Sequence, residues 1–362
     1  MAIGIVPAAF CIVAHREVSM RKTKGFNRGK QVGWRFVVMA MAILLGGMVV
    51  SAGSQPAQSA DQKGKKVALL MTGVTLPFPA GVKASFLERA KTLGLEVTSF
   101  EQFFDAARQA QQMDDAIARK FDIIAVMPVS ETSIVPSLLR AKQANVPVII
   151  INSPPKEGTE DLYLSYIGED AVEMGRLAGQ SMLQALKDAG RPGGKIALIT
   201  GSLQEGVAPR RLAGIKEVLA AHKEVQLVAV EDAKWDPVAT ERIAGQLFAR
   251  YAPQGGLDVV YGMNDDQSVA IIRAAEAAGI PLGLEPKQLI VIGGNCSADG
   301  IKMIRAGKQY STGVQGPART GAGAADLIAD YFQGKPLKKL NLQPIETITK
   351  ANIDKWQATC NY

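Results

Sequence analysis

The stretch LDVVYGMNDDQSVAIIRAAEAAG, residues 257–279, decides how this chain is read. Leu257 to Met263 is a short, almost wholly apolar run, the pattern of a strand covered on both faces. Asn264, Asp265 and Asp266 follow at once, and then a helical pattern that stops at Gly279. Strand, polar turn and helix form part of a crossover unit, which builds parallel sheets. The turn has two readings. Asn or Asp is what a helix start needs, because its side-chain oxygen accepts from an unpaired N–H of the first turn. It also lies beyond the carboxyl end of a strand, where open α/β sheets bind ligands. The expectation is that Asp265 or Asp266 caps the helix and Asn264 faces a cleft.

The same alternation runs outward in both directions. Toward the amino end, KVALLMTG (66–73), LEVTSF (95–100), FDIIAVMP (121–128) and VPVIIIN (146–152) read as strands. Between them stand helical patterns at 80–94, 107–120 and 132–145. The rhythm resumes after Tyr166 and continues to QYSTGVQG (309–316) and ARTGAGAADLIADYFQG (318–334). A faint echo links residues 122–151 with 258–284: strand, polar turn, a helix start with Ser and aliphatics, and a Val-Pro or Ile-Pro exit. An alternation this long in 362 residues exceeds one ordinary core, so two doubly wound α/β lobes are expected.

The formal charge of +7 is concentrated at the start: residues 1–60 carry seven basic residues against Glu17, and the remainder is nearly neutral. A nucleic-acid partner therefore has no electrostatic support. The basic segment precedes the apolar run Phe36–Val50 and the small residues after it, the arrangement of a signal peptide. Val50-Ser51-Ala52 and Ala60 bracket the cleavage site, and MRKTKGFNRGK from Met20 makes the better start. A retained membrane anchor is the alternative. An exported, periplasmic protein is expected, with residues 1–60 as leader. Cys296 and Cys360 remain after the leader, and in an oxidising compartment they either bond or stay two buried thiols.

The residues just after each strand carry the chemistry. They are Pro77-Phe78, Asn152-Ser153, the segment GSLQEGVAPRR (201–211), Lys234-Trp235-Asp236, Asn264, Asn295 and Gln315. Amides both donate and accept, as sugar hydroxyls do. Arg211 offers a rigid fork of donors, and Phe78 and Trp235 present aromatic faces to the C–H side of a ring. No nucleophile stands beside a base, no metal-ligand cluster occurs, and GAGAAD (321–326) lacks the context of a phosphate loop. Neither an enzyme nor a cofactor is expected. Each candidate also has a plainer role: Phe78 and Trp235 as packing, Arg211 as a surface partner of Glu217, Asn295 as a turn former, Gln315 as a support for backbone.

Taken in order, VPVIIIN, YIGEDAVEMGRLAGQ, the helix start with Arg211, NDDQSVAIIRAAEAAG, IVIGGN and TGVQGP resemble the bacterial periplasmic sugar-binding proteins of ABC transporters, of the ribose- and galactose-binding type. The resemblance covers nearly all of 65–350. It implies the periplasmic binding protein type I fold, two parallel-sheet lobes joined by three crossings near Glu169, Gln315 and Gln343. The implied lobes are 61–168 plus 316–342, and 169–315 plus 343–362. It implies a ligand set of Phe78 and Asn152 from the first lobe, Arg211, Trp235, Asn264 and Asn295 from the second, and Gln315 at a crossing. It also places Cys296 and Cys360 in one lobe.

The implied function is capture of a sugar or polyol by hinge closure, by a monomer that delivers it to a membrane permease with its cytoplasmic ATPase. Service to a chemoreceptor or sensor kinase is the alternative. Where ribose binders of the family carry Asn before Pro-Phe, Leu76 stands here, and Pro79 replaces a second Phe. Asn152-Ser153 replaces an Asp-Arg pair, and Asn295 replaces another Asp. These departures open the ligand to another pentose, a deoxy sugar, a polyol or another hydroxylated molecule.

Overall fold

In a computed structural model, which describes residues 62–362, Lys66–Thr72 forms β1, buried after its first residue because sheet neighbours and helices surround it. The leader lies outside the described residues. Next come α1 (Pro77–Thr92), β2 (Glu96–Gln102), α2 (Ala106–Ala118), β3 (Ile123–Val126), α3 (Val135–Gln143), β4 (Val148–Ile151) and β5 (Ser165–Gly168). The second half runs through α4 (Ala171–Asp188), β6 (Gly194–Thr200), α5 (Ala208–Ala220), β7 (Val225–Asp232), α6 (Pro237–Tyr251) and β8 (Val259–Gly262). It ends with α7 (Asp265–Ala277), β9 (Ile290–Ile292), α8 (Ala298–Arg305), β10 (Ser311–Gly313), α9 (Pro317–Phe332), β11 (Leu340–Leu342), β12 (Thr347–Thr349) and α10 (Ile353–Trp356).

Two six-stranded sheets result, ordered β11-β5-β4-β3-β1-β2 and β12-β10-β9-β8-β6-β7. The first is parallel throughout; in the second only β12 is antiparallel, against β10. The chain passes between the lobes three times. It leaves β5 for α4, which packs on α5; it leaves β10 for α9, which packs on α1; and it leaves β11 for β12. Glu169, Gln315 and Gln343 fall in these three connections.

Two helices differ from the periodicity for a physical reason. Helix α1 begins at Pro77 rather than Ala80, because proline suits the first helical position, where no N–H partner is needed. Helix α3 begins at Val135 although the pattern starts at Thr132; Pro136 is tolerated only in a first turn. The small residues of GAGAAD lie inside α9, where a Cβ on Gly321 would stand 2.1 Å from the Val82 carbonyl of α1. That segment is a close helix crossing. The echoed units are β3–α3–β4 and β8–α7–β9, and they part after the proline. Val146-Pro147 leads straight into β4, whereas Ile280-Pro281 first makes a bridge of Leu282 to Leu289 and only then enters β9.

Candidate ligand-binding cleft

The carboxyl ends of β1, β4, β6, β7, β8 and β9 face a common cleft between the two sheets. Phe78, Asn152, Arg211, Trp235, Asn264, Asn295 and Gln315 all line it.

Arg211 is the centre of the site, only 2 % exposed. It is delivered by the first turn of α5, and α5 lies so close to α4 that a Cβ on Gly175 would meet the Arg211 carbonyl at 2.0 Å. Nη1 donates to the Met263 carbonyl at 3.0 Å and to Asn295 Oδ1 at 3.3 Å, and Nη2 donates to Gln315 Oε1 at 3.1 Å. Its Nε has no acceptor in the protein. Glu217, the surface partner that the sequence suggests, instead accepts from Arg176. The guanidinium carbon lies 6.0 Å from the centroid of Trp235, the outer limit of a cation–π contact.

Gln315 joins the lobes. Its Nε2 donates to Asn152 Oδ1 at 2.9 Å and to Glu169 Oε2 at 2.8 Å. Burial raises the Glu169 carboxyl above its ordinary range, and Oε1 has no hydrogen-bond partner in the protein. Asn152, Trp235 and Asn295 all adopt positive φ, of 59°, 65° and 83°, so the strands turn sharply where they deliver these side chains. Trp235 is held between Asp232, whose Oδ1 accepts from Lys234 N, and Asp236, which caps α6.

The cap of α7 differs from expectation. Asn264 itself is the N-cap, its Oδ1 accepting from Gln267 N at 2.8 Å. Asp265 turns inward and accepts from Ser297 N, Gln309 Nε2 and Thr312 Oγ1, so it ties α7 to the start of α8 and to β10. Asp266 lines the cleft. Asn264 has an extended backbone and a short reach, which suits the cap, and its amide nitrogen is the group left to face the cleft. Phe78 does double duty, lining the cleft and belonging to the core of the first lobe.

Several lining residues are not marked in the sequence. Phe104 follows β2, whose end lies at Gln102, two residues past the apolar run that signals it, so the periodicity places the exit of that strand too early. Glu205 is buried in the segment after β6 that also delivers Arg211. Burial pushes its carboxyl up to about 8 against the opposing pull of Arg211, and burial pushes Asp266 up to about 6. Across the cleft mouth, Ser153 Oγ accepts from Gly206 N at 3.2 Å, and Arg210 donates to the Pro155 carbonyl at 3.2 Å. The two lobes are therefore in contact around the cleft. Cys296 and Cys360 are disulfide-bonded, 64 residues apart in sequence. Among the described residues no helix is long and apolar enough to cross a membrane, and no cluster of metal-ligating side chains occurs.

Comparison with known proteins agrees with this architecture. The ribose import binding protein of Haemophilus influenzae is 24% identical over 288 residues, spanning 80% of this chain and 90% of that protein. The xylitol-binding protein of Mycolicibacterium smegmatis is 26% identical over 270 residues, 73% of this chain and 72% of that protein. In fold, the chain is similar to an ABC transporter solute-binding protein from Bacillus halodurans solved with myo-inositol, with a TM-score of 0.74 at 23% identity over 83% of this chain and 99% of that one. Residues 67–336 match the family model described as periplasmic binding protein domain, and the chain belongs to that family.

Proposed function

We propose that this protein is the exported solute-binding component of an ABC transporter and captures a sugar or sugar-like polyol in the cleft between its lobes. The observation that carries the reading is the hydrogen-bonded chain Arg211–Gln315–Asn152, which joins a fork of donors on the second lobe to an amide on the first through the hinge. A polyhydroxylated ligand fits such a set, since each hydroxyl both donates and accepts. Buried polar groups left unpaired cost about 1–3 kcal/mol each, so the set selects for a ligand that pairs them. Phe78, Trp235, Asn264 and Asn295 complete it. The names of the relatives, for ribose and xylitol, support the same class.

The proposed lobes are 61–168 with 316–342, and 169–315 with 343–362, and residues 1–60 serve as a cleaved leader that directs the protein to the periplasm. The protein acts as a monomer, without catalysis, and closes about its three crossings because only the closed form lets both lobes touch the ligand. The closed form is read by the permease, whose ATPase lies in the cytoplasm. A thermal-shift panel of ribose, xylitol, myo-inositol, other pentoses and amino acids tests this. Ligand at about a hundred times its Kd should raise the melting temperature by several degrees. A response to amino acids alone would overturn the sugar or polyol assignment.

A further inference from the structure

Asn295 and Cys296 form the turn after β9, and both are non-glycine residues in the left-handed region, at φ 83° and 58°. Two successive residues of this kind persist only where the surroundings fix them. Cys296 N donates to Thr312 Oγ1 at 3.0 Å, and Ser297 N donates to Asp265 Oδ2 at 2.7 Å, which fixes one side of the turn. The other side is fixed by Tyr362. Its hydroxyl donates to the Asn295 carbonyl and is shared with the Gln315 carbonyl at 3.3 Å. Its own carbonyl accepts from Ala298 N at 3.1 Å, and its ring meets the Phe78 ring edge-on, centroids 6.4 Å apart. One side chain thus touches three residues of the cleft, from both lobes and from a crossing. Burial holds the phenol well above its ordinary range, so it remains a donor. Tyr362 reaches this place two residues after Cys360, which is bonded to Cys296 in the turn itself.

We propose that Tyr362 is a positioning residue of the ligand site, and that the Cys296–Cys360 bond acts on the site by holding Tyr362 behind Asn295, Gln315 and Phe78. The proposal rests on the cleft being the ligand site. The bond fastens the tail to the same turn whose carbonyl the tail's tyrosine receives, so tail and turn hold one another. Without it, the hydroxyl's hold on the two carbonyls loosens, and the backbones of Asn295 and Gln315 lose one of their supports.

The test uses Tyr362→Phe, the Cys296→Ser/Cys360→Ser pair, and the combination, in the exported protein. The probe is whichever of ribose, xylitol and myo-inositol binds the wild type. Tyr362→Phe keeps the ring on Phe78 and should weaken the probe several-fold, because Asn295 and Gln315 are no longer held in place, and should lower the melting temperature by only a few degrees. The cysteine pair should weaken it at least as much. The combination should be no weaker than the cysteine pair, because both act through one hydroxyl. Unchanged affinity in Tyr362→Phe, or losses that add in the combination, would overturn the proposal. A readout that needs no ligand separates this from the reading of the cleft. The amide resonances of Cys296 and Gly316, which follow the two accepting carbonyls, should move in Tyr362→Phe, and that of Gly316, which lies outside the bond, should move on reduction of the disulfide. Moved amides with no binding of any probe would retain the positioning role and refute the ligand assignment; unmoved amides would refute the positioning role itself.

Discussion

Arg211 Nη2 donates to Gln315 Oε1 at 3.1 Å across 104 residues of chain, so the first turn of α5 is fastened to the crossing after β10. The same guanidinium holds the Met263 carbonyl and the Asn295 amide, and Gln315 passes the connection on to Asn152 in the other lobe. The cleft is therefore preorganised around one cation, and the ligand is expected to meet a fixed set of donors.

Arg211→Ala should weaken ligand binding at least tenfold, since hydrogen bonds to a charged group contribute about 1.5–3 kcal/mol. Arg211→Lys should recover only part of this, because an ammonium cannot reproduce the fork. Calorimetric titration with the ligand found in the panel decides it, and equal affinity in the alanine variant would remove Arg211 from the site.

Gly206→Ala probes closure without touching the lining. A Cβ there would stand 2.0 Å from the Pro154 carbonyl of the opposite lobe, next to the bond from Gly206 N to Ser153. The clash arises where the lobes meet, so the variant should fold with a near-native melting temperature and bind ligand at least several-fold more weakly. Scattering should show a larger radius of gyration at saturating ligand than in the wild type. A variant that closes and binds like the wild type would mean the lobes do not approach here.

Folding stability should fall as pH rises from about 4 to 8. Glu205 and Asp265 are pushed by burial up to about 8 and about 7, above the ordinary values of about 4.3 and about 3.9 for an unfolded chain. A carboxyl raised in the folded state stabilises it fully below the unfolded value, and that contribution is lost as pH climbs through the folded value. Melting temperature against pH measures this, and Glu205→Gln should flatten the upper part of the curve. A curve that rises from pH 6 to 8 would contradict it.

Much of the fold is legible in the amino-acid sequence. Aliphatic runs alternating with helical patterns mark the two parallel sheets, because strands buried on both faces have no polar side to disguise them. Of the seven predicted lining residues, Asn152, Trp235, Asn264, Asn295 and Gln315 stand within three residues of a strand's end, whereas Phe78 and Arg211 lie in α1 and α5 and are singled out by the family resemblance. Where the end is blurred, the signal is lost: β2 is half-buried and runs on to Gln102, which conceals Phe104. Asn264 takes the cap expected of Asp265 or Asp266 while still lining the cleft, because the sequence marks a cap within a polar triplet but not which member points inward, a choice that Ser297 and Thr312 from distant segments make for Asp265. Tyr362 carries no local signal at all, since its place depends on a disulfide and on carbonyls reached only through the tertiary fold.

The central claim is that a polyhydroxylated ligand occupies the cleft beside Arg211 and Trp235, and a fluorescence titration tests it most directly. After export, with Trp356→Phe and the leader removed, Trp235 is the sole indole. Its emission should change saturably with one equivalent of ribose, xylitol, myo-inositol or another sugar or polyol that gives a thermal shift, and Arg211→Ala should move the curve to higher concentration. A ligand that raises the melting temperature yet leaves Trp235 emission unchanged, or a protein that responds to no sugar or polyol, would contradict the account.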